Sequence, residues 1–138
     1  MHIAIVDDDK SELNAAEHYL NEFIQENYPE LEVNIQTFSA ANDFFNAFKP
    51  GLFRLVILDI LMPEINGLQI AQIIRARGDD DVNILFLTNN DNFVLNGYRV
   101  FAVGYLIKPV SDHADDFLNT FNHIFNEIRQ KTPEITLN

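Results

Sequence analysis

The chain has no cysteine and no tryptophan, few glycines and prolines (five of each), and only nine basic residues against 21 acidic ones. Each shortage excludes something. Without cysteine there is no disulfide, no thiol nucleophile and no thiolate-bound zinc. With so few Lys and Arg and a net charge of −12, the domain itself is not expected to grip nucleic acid, because phosphate contacts need clustered cations. Apolar runs are short, as at residues 55–58 and 84–87, far from the ~20 residues a membrane helix requires, so no membrane association is expected. Asp7, Asp8 and Asp9 follow the N-terminus too closely for a signal peptide. These exclusions point to a cytoplasmic protein that meets cations or basic surfaces.

What is present is ample apolar material: 47% hydrophobic residues, including twelve Phe, in 138 residues, the size of a single domain. It is arranged in alternation. Five short β-type runs are each followed by a stretch with helical spacing. Residues 3–6 precede the stripe Leu13, Ala16, Leu20, Phe23, Ile24, whose start offers Asp9 with Glu12 at capping-box spacing and Ser11 as a rival cap. Residues 31–38 precede a short helix bearing Phe44, Phe45 and Phe48, with Ser39 as its expected cap and Pro50-Gly51 as its stop. Residues 55–58 end on Asp59, and a loop with Pro63 and Asn66-Gly67 leads into a third helix closed by Arg75, Arg77 and Gly78. Residues 84–87 end on Thr88, and a weak helix rich in Asn is expected at 91–97. Residues 102–107 end at Lys108-Pro109, and Ser111 is the expected cap of a last helix carrying Phe117, Phe121, Ile124, Phe125 and Ile128.

Strands alternating with helices predict an α/β fold, a doubly wound five-stranded parallel sheet covered on both faces. The first, third, fourth and fifth runs read as doubly buried strands; the second alternates, as an edge strand does. In such sheets ligands bind at the carboxyl ends of the strands. The residues there are Asp7 and Asp8, Asp59, Thr88 and Lys108: three carboxylates, a hydroxyl and an amine. Crowded carboxylates repel one another, and a hard divalent cation with oxygen ligands, Mg²⁺, relieves the repulsion. One carboxylate then remains able to attack phosphorus, with Lys108 and Thr88 positioned for the phosphoryl oxygens. Singly, each residue has a plainer reading: a helix cap for Asp7, Asp8 or Asp9, a turn residue for Asp59, a strand end for Thr88, a surface amine for Lys108. Their combination in strand order is what points to chemistry.

The blocks Ile5-Val6-Asp7-Asp8, Leu58-Asp59-Ile60-Leu61-Met62-Pro63 with Gly67, Phe86-Leu87-Thr88 and Tyr105-Leu106-Ile107-Lys108-Pro109 together resemble the receiver domains of two-component response regulators, over about residues 1–130. The resemblance implies a flavodoxin-like (βα)5 fold with strand order 2-1-3-4-5. It implies a phosphoacceptor at Asp59, Mg²⁺ on Asp8 and Asp59, with Asp7 helping through water and the Leu61 carbonyl completing the ligands. Thr88 and Lys108 would hold the phosphoryl group, Tyr105 would be an aromatic switch, and Lys108-Pro109 a cis peptide. The phosphodonor would be a sensor histidine kinase. Phosphorylation would reshape the face made by the fourth predicted helix, the fifth strand and the last helix, with Phe93, Tyr98, Phe101 and Val103 on or near it, and form a homodimer there. Residues 92–105 look like those of receivers joined to LytTR-type DNA-binding domains, so that 131–138 would be a linker or the start of a C-terminal output domain, through which DNA is bound and transcription regulated. Such a chain is not an enzyme beyond its own phosphorylation and dephosphorylation. Leu61 cannot orient an attacking water, which predicts slow self-dephosphorylation.

Rival readings differ at named residues. An aspartate-dependent phosphohydrolase normally carries a second Asp two positions after its nucleophile, where this chain has Leu61. Residues 55–59 resemble a Walker B strand, but the glycines at 51, 67, 78, 97 and 104 form no phosphate-cradling loop. A pseudo-receiver, a binding module without phosphorylation, is disfavoured because all five residues of the acidic edge are present. The four histidines are scattered without metal spacing and read as structural or surface residues.

Overall fold

In a computed structural model, described over residues 1–89 and 100–131, five strands form one sheet in the order β2-β1-β3-β4-β5, every pair parallel. The strands are β1 (His2–Val6), β2 (Asn34–Phe38), β3 (Phe53–Asp59), β4 (Asn83–Thr88) and β5 (Gly104–Ile107). The helices are α1 (Lys10–Asn27), α2 (Ala41–Ala47), α3 (Gly67–Ala76) and α4 (Ala114–Lys131), the last preceded by a 3₁₀ turn at Val110–His113. The helix expected at 91–97, with Phe93 and Tyr98, lies outside the described residues.

Strand periodicity divides the core in two. Ile3, Ile5, Leu55, Ile57, Leu85 and Leu87 point to one face, under α1 and α4; Ala4, Val6, Val56, Leu58, Ile84 and Phe86 point to the other, under α2 and α3. Because both faces are covered, β1, β3 and β4 read as continuous apolar runs rather than alternating ones. The aromatic content sorts the same way: Phe23, Phe121 and Phe125 cluster on the first face, and Phe44, Phe48 and Phe53 on the second.

Several local expectations are corrected. The fifth strand stands at the sheet edge, as the order 2-1-3-4-5 requires, but it is not doubly buried: Leu106 is its one buried residue. Asp9 wins the cap of α1, accepting the Ser11 and Glu12 N–H groups at 2.9 and 3.3 Å. Ser39 does not cap α2: Ala40 occupies the extended cap position and makes no side-chain cap bond. Nor does Ser111 cap the last helix. After Pro109 the chain closes a tighter turn, with the Asp112 N–H on the Pro109 carbonyl at 3.1 Å, which puts Ser111 inside the 3₁₀ turn. The second run forms a strand only from Asn34, while Leu31 and Val33 pack on the α1 side of the core.

Candidate functional site

Four strand ends converge at the carboxyl edge of the sheet. The β1–β3 and β3–β4 registers set Val6 beside Leu58 and Asp59 beside Leu87, so Asp7 follows β1 next to the end of β3, while Thr88 ends β4 beside Ile107 of β5. The Lys108 N–H bonds the Thr88 carbonyl at 2.9 Å, which ties the lysine to the end of β4. Asp7, Asp59, Thr88 and Lys108 are all buried, whereas Asp8 is exposed at the rim.

Asp7, Asp8 and Asp59 each offer a carboxylate oxygen within 4.8 Å of the others, the one such group of acidic or histidine side chains among the described residues. Asp7 is held by the Asp9 N–H on Oδ1 at 3.0 Å and by the Lys108 ammonium on Oδ2 at 2.6 Å. Lys108 Nζ also lies 3.5 Å from Asp59 Oδ1, so one ammonium bridges two buried carboxylates. Two negative charges against one positive leave the group short of cation. Burial first, and then the Asp7 charge, push the Asp59 carboxyl up to about 7, although Lys108 pulls it down. Burial alone would lower the Lys108 ammonium, but its hydrogen bond to Asp7 and the charges of Asp7, Asp59 and Glu12 outweigh burial and leave it raised. A donor set of three oxygen anions, two buried and one open to solvent, fits a hard divalent cation that keeps part of its water shell.

Around this cluster, Leu61 is half-exposed (52%) two residues beyond Asp59, with its side chain turned to solvent. The Tyr105 ring is half-buried on β5 and stacks on Phe86 of β4, centroids 5.3 Å apart. The Lys108–Pro109 peptide is cis. Asp8 also lines a cavity of about 220 Å³ with Ser39, Asn42, Met62 and Ile65.

Some of what builds the site was not singled out from the sequence. Asn66 accepts the Gln69 N–H at 2.9 Å while Gln69 returns a bond to the Asn66 N–H at 2.9 Å, a reciprocal capping box that fixes the start of α3 behind Asp59. The signal was there, Asn three residues before Gln, but Asn66-Gly67 reads equally well as a turn. Gly67 donates to the Ile60 carbonyl at 2.9 Å, and a β-carbon on it would come within 2.2 Å of the Asp59 carbonyl oxygen. Only backbone faces that position, so nothing can swing aside. Gly67→Ala is expected to cost about 3 kcal/mol by urea denaturation, the upper range of overpacking, and to displace Asp59; a loss under about 0.5 kcal/mol, within ordinary surface effects, would mean that the close approach is not required.

The fold and site together define an α/β class: a doubly wound parallel sheet with an acidic triad, a buried lysine and a buried hydroxyl at its carboxyl edge. The family model described as response regulator receiver domain matches residues 3–119, and the chain belongs to that family. The positive alginate biosynthesis regulatory protein of Pseudomonas aeruginosa is 33% identical over 110 residues, 80% of this chain and 42% of that protein. The sensory transduction protein LytT of Oceanobacillus iheyensis is 29% identical over 113 residues, 81% of this chain and 44% of that protein. The chain thus spans less than half the length of these curated relatives. Among solved structures, the BeF3-activated receiver domain of DrrB, a Thermotoga maritima protein, superposes with a TM-score of 0.69 at 27% identity, covering 91% of this chain and 97% of that one. The protein is therefore a receiver domain of two-component signalling. Receiver domains are not turnover enzymes in the ordinary sense, and no helix among the described residues is long and apolar enough to cross a membrane.

Proposed function

We propose that the chain is a phosphorylation-controlled switch in which Asp59 accepts a phosphoryl group from the phosphohistidine of a sensor histidine kinase. The observation that carries this reading is the buried Asp59 carboxyl, set against the carboxylates of Asp7 and Asp8 and 3.5 Å from a lysine ammonium that also grips Asp7. Asp8 and Asp59 would hold Mg²⁺ directly, with Asp7 through water and the Leu61 carbonyl as a further ligand. When bound, the cation neutralises the carboxylates, so that Asp59 is ionised and an anionic donor can approach.

The remaining steps belong to the chain. An Asp59 carboxylate oxygen attacks phosphorus, the O–P bond forms as the P–N bond to the donor imidazole breaks, and the imidazole leaves with the bonding pair and takes up a proton. Lys108, 3.5 Å from Asp59 Oδ1, exchanges its carboxylate partners for a phosphoryl oxygen, and the Thr88 hydroxyl donates to another. The added charge of roughly −1.5 to −2 thereby pulls on the ends of β4 and β5. Tyr105, stacked on Phe86 beside that path, is the proposed aromatic switch. Leu61 offers no hydrogen bond to an attacking water, which supports a long-lived acyl phosphate.

The output proposed is transcriptional, through a LytTR-type DNA-binding domain following a linker at 131–138, in a cytoplasmic protein. Homodimerisation is proposed on the face that includes β5 and α4, where Phe101 and Val103 are exposed. Beryllium fluoride, which mimics an acyl phosphate, tests the acceptor reading. Titration in the presence of Mg²⁺, followed by NMR, is expected to shift Thr88, Tyr105 and Lys108 signals of the wild type, and to leave Asp59→Asn unchanged. Equal shifts in both proteins, or none in either, would count for a pseudo-receiver.

A further inference from the structure

Arg75 stands in the last turn of α3, where a cation ordinarily serves only the helix's own carbonyls. Its guanidinium instead spans two segments. Nη1 donates to the Asp79 carbonyl at 2.9 Å, Nε to the Val100 carbonyl at 2.8 Å, and Nη2 to the Phe101 carbonyl at 3.3 Å. The planar fork of arginine suits this, since its donors are held at fixed angles and never lose their charge at ordinary pH. What it grips is unusual backbone. Phe101 has φ 55, the left-handed region that a bulky residue enters only when its surroundings hold it there, and its ring is 79% exposed while neighbouring Val100 is buried. Two residues on, the Val103 N–H joins the Ile84 carbonyl at 2.8 Å, and β5 (Gly104–Ile107) follows and leads directly into Lys108.

The opposite end of α3 abuts the acceptor. Gly67 bonds the Ile60 carbonyl and approaches the Asp59 carbonyl too closely for any side chain. A single ten-residue helix therefore touches Asp59 with its first turn and fixes the entry to the strand that leads to Lys108 with its last.

We propose that Arg75 is a conformational clamp: by holding the Val100 and Phe101 carbonyls it keeps Phe101 displayed in a strained backbone state and restrains β5, so that release of the clamp favours phosphoryl uptake at Asp59. This rests on the acceptor reading above. Lys108 is engaged with Asp7 and Asp59 and must shift to meet a phosphoryl oxygen, and a β5 freed at its start shifts at lower cost. By linkage, phosphorylation loosens the clamp to the same degree.

Arg75→Met keeps the aliphatic stem and removes the donors; Arg77→Met, whose guanidinium lies over the Phe45 ring, is the control. Amide exchange on the unphosphorylated proteins is expected to show the Val103 N–H exchanging about tenfold faster or more in Arg75→Met, as loss of hydrogen bonds from a charged donor implies, with β1 and β3 unchanged and Arg77→Met like wild type. The initial rate of phosphoryl uptake from an acyl phosphate with Mg²⁺ is expected to rise several-fold in Arg75→Met. Unchanged Val103 exchange, or faster exchange throughout the sheet, would overturn the clamp, and local loosening with an equal or slower uptake rate would overturn its regulatory role. If the wild type takes no phosphoryl group, the acceptor reading fails and the regulatory role with it, whereas the exchange comparison still decides the clamp.

Discussion

With divalent cations chelated, the wild-type protein is expected to lose stability relative to Asp59→Asn as pH rises from about 4 to 8. The Asp59 carboxyl moves from an ordinary 3.8 to about 7 in the folded protein, so between those values the native state binds a proton that the unfolded chain has released. Stability falls with pH wherever the native state holds more protons, so Asp59's contribution is complete below about 4, declines through the window and is gone above about 7. Integrated over the shift, the loss approaches about 4 kcal/mol. Lys108 does not add to this slope, because its ammonium is raised from an already high value and stays charged throughout. Thermal melts in chelator are expected to show the two proteins within a few degrees of each other at pH 4.5, and Asp59→Asn melting roughly 10 °C higher at pH 8. Adding Mg²⁺ at pH 8 is expected to close most of that gap. A difference that does not change with pH would mean that Asp59 is not held protonated by its surroundings.

Replacing Lys108 is expected to be the most damaging single change at the site. Its ammonium is the only cation within salt-bridge distance of Asp7 and Asp59 among the described residues, and all three side chains are under a tenth exposed. Lys108→Met retains the stem but strands the buried Asp7 carboxylate and removes the charge that favours ionised Asp59, and breaking a buried pair from one side typically costs about 3–5 kcal/mol. The cost belongs to the abandoned charges rather than to the lost amine. Lys108→Met combined with Asp7→Asn is therefore expected to recover at least half of the loss in urea denaturation, and strictly additive losses would show that the two residues do not interact.

How far these features were legible depends on their range in sequence. The (βα) alternation follows from local periodicity, and the acidic edge follows because Asp59, Thr88 and Lys108 each terminate an apolar run, a pattern visible without coordinates. The thin cover of β5 was not legible: its edge position follows from the order 2-1-3-4-5, but residues 104–107 are apolar enough to read as doubly buried, and only Leu106 is buried. Caps failed where two adjacent residues competed, as at Ser39 and Ala40, since a one-residue shift of the cap leaves the sequence pattern unchanged. Arg75 reads as a helix-end charge because the carbonyls it holds lie 25 and 26 residues away, a separation no local signal encodes. The bridging role of Lys108 is similar. Its place at a strand end was visible, but its 2.6 Å contact with a carboxylate 101 positions earlier needed the fold.

Whether this acidic edge makes Asp59 a phosphoacceptor is decided by intact-mass analysis after incubation with a small acyl phosphate. One added phosphoryl group is expected on the wild type when Mg²⁺ is present, none when it is chelated, and none on Asp59→Asn under either condition. No addition to the wild type, or equal addition to Asp59→Asn, would contradict it.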